Sequence, residues 1–212
     1  MSEQTFSPLS LGVIEGDVGT VLKEVDRLIE AGSTPQTVMD EHLIPAMEEV
    51  GRRFESNEFF VPELLIAARA MQEAMKILDP LLKNSGIEKL GRVVIGTVQG
   101  DFHDIGKNLV ASMLEGGGFE VIDLGVNVSP QKFIDAAREK NGTIVCLSAL
   151  LTTTMPQMKS VIEELEKEGL RQNFKVMVGG APVTDDFARQ IGADGYSDNA
   201  SAAVTLAKSF FA

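Results

Sequence analysis

The chain has 212 residues, 44% of them hydrophobic and 24% charged, enough for one large domain or two of ordinary size around a buried core. Its net charge of −12 divides into −8 over residues 1–90 (8 Lys+Arg against 16 Asp+Glu) and −4 over residues 91–212 (11 against 15), so neither half offers positive surface to nucleic acid or an anionic membrane. No apolar run approaches the roughly 18 residues of a membrane span. The N-terminal MSEQTFSPLS also lacks the basic-then-apolar pattern of a secretory signal, so a cytoplasmic location is expected. The single Cys146 rules out an internal disulfide and a cysteine-rich metal site, and its place inside TIVCLSAL reads as core packing.

Residues 1–82 carry a helical period throughout, with apolar positions every three or four residues and Gly or Pro at the breaks. The first helix falls at about 8–16 and the second at about 18–31, ending before Gly32. A third follows the cap pair Ser33-Thr34 with Pro35 in its first turn, and a fourth starts at Pro62 and runs through ELLIAARAMQEAMKILDPLL. Pro45 and Gly51 weaken the third helix and predict a kink there. His42, on that helix, reads as an ordinary helical residue. Short connections between four amphipathic helices imply a small bundle.

After Lys83-Asn84-Ser85-Gly86 the pattern changes to short β-branched runs, each followed by a helical stretch, which sets a domain boundary near residue 88. Domains at 1–88 and 89–212 are therefore expected. Strands are predicted at 92–98, 119–125, 143–149, 175–180 and 193–197, with helices at about 105–116, 130–140, 155–169, 184–191 and 199–210. Nearly continuous apolar strands alternating with helices imply an α/β domain with a parallel sheet covered on both faces. Five strands suit the flavodoxin-like or Rossmann-like order 2-1-3-4-5, which puts a ligand at the carboxyl ends of the first and third strands.

The loop at that position reads Gln99-Gly100-Asp101-Phe102-His103-Asp104-Ile105-Gly106-Lys107-Asn108 and contains one of the two histidines. Asp101 and His103 stand two residues apart, so in an extended turn the carboxylate can accept a hydrogen bond from one ring nitrogen. The other nitrogen is then presented to a metal. Gly106 would let the next helix begin close beneath a bulky planar ligand. The same residues also admit a capping aspartate beside a hydrogen-bonded surface histidine. Ser148-Ala149-Leu150-Leu151-Thr152-Thr153-Thr154 ends the third strand and Gly179-Gly180-Ala181-Pro182 ends the fourth. Together they would line a narrow slot with hydroxyls, suited to a long polar tail, although strand-end Ser/Thr also cap helices and Gly-Gly also makes turns.

D-x-H-x-x-G after the first strand, S-x-L after the third and G-G after the fourth resemble the cobalamin-binding module of methionine synthase and its relatives, over essentially all of residues 91–212. The resemblance implies His103 as the lower cobalt ligand in place of the cofactor's own base, with Asp101 as its hydrogen-bond partner. Thr154 would stand where the family usually has serine. It further implies loop contacts from Phe102, Asp104, Ile105 and Gly106, and tail contacts from Ser148, Leu150, Thr152, Gly179, Gly180 and Tyr196. The stretch Phe54-Glu55-Ser56-Asn57-Glu58-Phe59-Phe60-Val61-Pro62-Glu63-Leu64 is similar to the helical cap of corrinoid methyl carriers. By that likeness Phe54, Val61 and Leu64 would shield the methyl face, or serve as bundle core.

The function so implied is carriage of a methyl group on cobalt between separate donor and acceptor methyltransferases, with a reductive activator restoring oxidised cobalt. Methanol, a methylamine, a betaine or an O-methyl aromatic ether could be the donor, the last being favoured on general resemblance, and tetrahydrofolate is the expected acceptor. An adenosylcobalamin mutase subunit shares the D-x-H-x-x-G module but usually lacks the helical cap. A cobalamin-sensing regulator would normally add a basic DNA-binding domain. A receiver domain would need an acidic phosphoacceptor at Ser148-Ala149-Leu150, and a flavin carrier a hydroxyl-rich loop after the first strand.

Overall fold

The computed structural model describes residues 6–85, 89–139 and 142–211. The boundary expected near residue 88, the start of the N-terminal segment and residue 140 of the helix expected at 130–140 lie outside the described residues. The chain divides into two compact units, one comprising Met1–Glu88 with Glu115–Gly118 and the other Lys89–Leu114 with Phe119–Ala212.

In the first unit α1 (Pro8–Glu15), α2 (Val18–Glu30), α3 (Pro35–Val38), α4 (Ile44–Glu55) and α5 (Val61–Ser85) follow in order. Each early start is capped by a side-chain oxygen that takes an otherwise orphaned N–H: Ser7 from Ser10, Asp17 from Thr20 and Thr34 from Thr37. The kink expected around Pro45 takes the form of a wider turn, a π-helix at Met39–Leu43, which joins α3 to α4. Pro45 has no N–H to offer the preceding turn, and one extra residue per turn absorbs the mismatch. The buried Ser10 hydroxyl donates to the His42 carbonyl at 3.0 Å in the same region. α5 begins one residue earlier than expected, at Val61, with the Glu63 carboxylate accepting from the Phe60 N–H at 2.9 Å. Along α5 the residues Leu64, Ala67, Ala68, Met71, Ala74, Met75, Leu78 and Leu82 are buried at helical spacing, which is the stripe that holds the bundle together.

The second unit is a five-stranded sheet in the order β2-β1-β3-β4-β5, every pairing parallel, as the sequence implies. Its strands are β1 (Arg92–Thr97), β2 (Glu120–Asp123), β3 (Ile144–Ser148), β4 (Lys175–Gly179) and a short β5 (Gly195–Tyr196). Between and after them run α6 (Ile105–Gly116), α7 (Pro130–Glu139), α8 (Pro156–Lys167), α9 (Asp185–Ile191) and α10 (Ala200–Ser209). Alternate residues serve the two faces. Val94, Val145, Leu147, Val176 and Val178 pack with Phe133, Ile134, Met158, Val161, Ile162, Leu165 and Ile191 from α7, α8 and α9. Val93, Ile95, Ile144, Cys146 and Met177 pack with Leu114 of α6 and with Ala203 and Ala207 of α10. Cys146 is thus core, and burial pushes its thiol pKa up to about 12. With both faces covered, the carboxyl ends of β1 and β3 are left as the accessible rim, and the polar loop leaves β1 there.

Candidate functional site

The loop between β1 and α6 is fastened before it reaches His103. Thr97 donates its N–H to the Gly125 carbonyl at 3.0 Å and accepts from the Val128 N–H at 3.0 Å. One turn later the Asn127 side-chain oxygen accepts from the Gly100 N–H at 2.8 Å, while the Asn127 N–H donates to the Asp101 carbonyl at 2.9 Å. Asn127 holds this post at φ 53°, a left-handed backbone that asparagine tolerates better than most residues. The chain therefore arrives at Asp101 with little freedom.

Asp101 is fully buried and its carboxylate takes five contacts. Oδ1 accepts the His103 N–H at 3.1 Å and faces His103 Nδ1 at 2.7 Å. Oδ2 accepts from the Leu150 N–H at 2.8 Å, the Leu151 N–H at 3.3 Å and the Thr154 hydroxyl at 2.7 Å. Burial by itself would raise the pKa of this carboxyl. The hydrogen bonds from Thr154, His103 and the Leu150 N–H outweigh it and hold Asp101 well below the usual carboxylate range. An ionised Asp101 can only accept, so Nδ1 carries the shared proton, and in the neutral imidazole Nε2 then keeps the lone pair. The His103 side chain is 51% exposed, so that lone pair is available at the surface. Thr154 is buried and acts on Asp101 rather than on the histidine, its proton lying between Oδ2 and the Leu151 carbonyl at 2.9 Å. The three residues expected to form a triad are brought together.

Around His103 the surface is apolar and open. Phe102 is 68% and Ile105 74% exposed, an unusual cost for two large apolar side chains unless something broad covers them. Asp104 is exposed beside them. A Cβ added at Gly106 would meet no protein atom within 4 Å, so the chain's own packing does not demand glycine there, whereas a ligand lying over the helix start would. Among the described residues no three His, Cys, Asp or Glu side chains gather as a metal cluster. An ion bound here would have to bring its other ligands, which is what a cobalt held in a corrin macrocycle does. The single histidine donor and the exposed Phe102 and Ile105 beside it fit that cofactor.

The residues expected to contact a nucleotide tail lie along the same rim. Thr97, Ser148 and Gly179 are in register across β1, β3 and β4, and Tyr196 pairs beside Val178. Gly180 has φ 128°, and a Cβ there would sit 2.0 Å from the Ala149 carbonyl, so the ends of β3 and β4 can approach only with glycine. Leu150 and Thr152 are exposed on the loop after β3, and Ser148 is half-buried. Tyr196 is also half-buried, which raises its phenol pKa. In the helical unit the three residues named for the methyl face have different surroundings: Val61 is 41% exposed, Phe54 is half-buried, and Leu64 is fully buried on the α5 stripe. Phe60, Leu65 and Ile66, not singled out in the sequence, are exposed near Val61. Their excess of apolar surface on a short stretch was the available signal.

Sequence reasoning also missed groups that the fold supplies. The Leu150 and Leu151 N–H groups act through the backbone and have no residue-type signature. Thr97, fully buried, donates its hydroxyl to the His103 carbonyl at 2.8 Å. Lys107, buried at the start of α6, reaches Asn108 and Asp123, each at 2.5 Å, and so ties α6 to the end of β2.

Two family models, both described as a B12 binding domain, match residues 91–205 and residues 7–79. Among curated proteins, dimethylamine corrinoid protein 1 of Methanosarcina acetivorans is 43% identical over 211 residues, 99% of either chain. Trimethylamine corrinoid protein 1 of the same organism is 38% identical over 205 residues, 96% of this chain and 95% of that one. Among solved structures, a cobalamin-binding protein from Desulfitobacterium hafniense DCB-2 superposes with a TM-score of 0.80 at 35% identity, covering 95% of this chain and 96% of the other. The methanol:cobalamin methyltransferase complex MtaBC from Methanosarcina barkeri contains a chain that superposes with a TM-score of 0.84 at 31% identity, covering 96% and 78%. A histidine presented by a buried carboxylate, exposed apolar side chains beside it and relatives aligned almost end to end lead to one conclusion: the chain belongs to the B12-binding family of corrinoid proteins.

Proposed function

We propose that this protein is a methyl carrier that receives a methyl group from a methylamine-specific methyltransferase and delivers it to an acceptor methyltransferase. The observation that carries the reading is His103, held by Asp101 with Nε2 free on the open rim of the sheet. When bound, the corrinoid supplies the methyl-transfer chemistry through its cobalt. His103 would hold that cobalt through Nε2. Asp101 fixes the tautomer and, by drawing on the Nδ1 proton, makes Nε2 a better donor. Thr154 and the Leu150 and Leu151 N–H groups keep Asp101 ionised and in place. Ser148, Gly179, Gly180 and Tyr196 would line the space for the nucleotide tail. Helical and α/β regions that both match B12-binding models count against a bare mutase subunit.

The relatives' names support a methylamine as donor, and nothing comparable supports the O-methyl aromatic ether favoured from the sequence. A donor methyltransferase, an acceptor methyltransferase and a reductive activator are the partners this role requires, all in the cytoplasm. No described helix is long and apolar enough to cross a membrane. The test is to reconstitute the protein with hydroxocobalamin, reduce it, and offer mono-, di- and trimethylamine and a methoxylated aromatic, each with its methyltransferase. Methylation of the bound corrinoid by a methylamine system, followed by transfer to tetrahydrofolate or another acceptor, is expected. Methylation only by the aromatic system would overturn the donor assignment, and methylation by none would overturn the carrier role.

A further inference from the structure

His103 has three groups that the protein can hold, and all three are held. Its N–H and its Nδ1 both go to Asp101, but to the same atom, Oδ1, at 3.1 and 2.7 Å. Two bonds converging on one oxygen act as a pivot, about which the residue could still turn. The second fixed point is on the other side of the residue, where the Thr97 hydroxyl donates to the His103 carbonyl at 2.8 Å.

Thr97 is built to be immovable. It is 0% exposed at the end of β1, with its N–H and carbonyl bonded to Gly125 and Val128, and β-branching restricts its side chain to few rotamers. Neighbouring strand positions Val93, Val94, Ile95 and Val98 are all buried aliphatics, so a hydroxyl here is an exception in an apolar row. Such an exception is retained in a core only if its hydrogen bond is made. That bond closes the seven-residue span from 97 to 103 across the loop's mouth.

We propose that Thr97 is a positioning residue for His103, its hydroxyl holding the His103 carbonyl so that Nε2 stays at the height from which it can ligate the corrinoid. The proposal rests on His103 being the lower ligand, and the experiment separates the two. Full-length protein labelled with ¹⁵N-histidine is reconstituted with hydroxocobalamin and reduced to cobalt(II), and the EPR spectrum is recorded. A doublet from ¹⁵N reports histidine ligation and is distinct from the ¹⁴N triplet of the cofactor's own base. His103→Ala should abolish the doublet; if it persists, the ligand assignment itself falls. Thr97→Val, which keeps the shape and removes the hydroxyl, is expected to lower the ratio of histidine-ligated to unligated cobalt by about five- to tenfold. Thr97→Ser should stay within about twofold of the parent protein. A folded Thr97→Val protein with the parent ratio overturns the proposal and leaves the ligand assignment standing. If Thr97→Val does not fold, Thr97→Ala replaces it, and equal ratios for the Ala and Ser variants overturn the proposal in the same way.

Discussion

At Asp101 one carboxylate does two jobs with its two oxygens: Oδ1 orients His103, and Oδ2 ties that arrangement to the loop after β3. Of the three donors to Oδ2, the Thr154 hydroxyl is the one that mutagenesis can remove. Bonds to a charged, buried acceptor are worth more than neutral ones, about 1.5–3 kcal/mol. Thr154→Val should therefore lower the unfolding free energy of the apoprotein by about 2 kcal/mol, and Thr154→Ser by less than about 1 kcal/mol, both read from urea titration. A loss for Ser equal to that for Val would mean that methyl packing, not the hydroxyl, is what the site needs. The D-x-H pair was legible because its chemistry depends on residue type and close spacing. Thr154 was legible only through family likeness, since 53 residues of chain separate it from its partner.

The end of α4 shows how an element can carry its own pH response. Glu49 accepts from Arg52 and Arg53, three and four residues ahead, and the Arg52 bonds, followed by those of Arg53, bring its pKa from 4.5 down to about 2. Arg53 in turn lies 5.2 Å over the Phe59 ring, at the turn that leads into α5. The folded pKa is depressed, so the stabilisation is complete above the ordinary value of 4.5 and is lost as pH falls toward about 2. Arg52 is largely exposed, which screens the pair, so the contribution is under about 1 kcal/mol. Glu49→Gln should remove it at pH 7 and flatten the dependence of stability on pH between about 5 and 3, measured by thermal melts across that range. A parallel slope in both proteins would assign the acid sensitivity elsewhere. This Glu-Arg network was not singled out from the sequence, and the wide turn at Met39–Leu43 was anticipated only as a kink. Proline forbids one hydrogen bond, but packing decides how the helix reroutes around the gap.

For the molecule as a whole, the site belongs to the α/β unit, where covered sheet faces leave the strand ends as the place for a ligand. A ligand that binds only the folded state stabilises it by mass action, by about 2.7 kcal/mol at a hundred times its dissociation constant. For a unit of this size that corresponds to a rise of about 11 °C in melting temperature. Calorimetry of the reconstituted protein should show a shift of this order, and His103→Ala should keep part of it, because the residues proposed to contact the tail are untouched. A shift absent in the parent protein would mean that the cofactor does not bind the folded state in preference to the unfolded chain.

By itself the sequence determined the two-part organisation into helical and α/β periodicities, the parallel strand order and the Asp101-His103 loop, because each is written in local residue pattern and short spacing. The tertiary structure decided which side chains meet that loop. Thr97 reads as one more β-branched strand residue, Asn127 as a turn residue, and the Leu150 and Leu151 N–H groups have no letter of their own. They become part of the site only when parallel β1, β2 and β3 bring their ends together, since hydrogen bonds across a sheet rim depend on distance in space and not on separation along the chain.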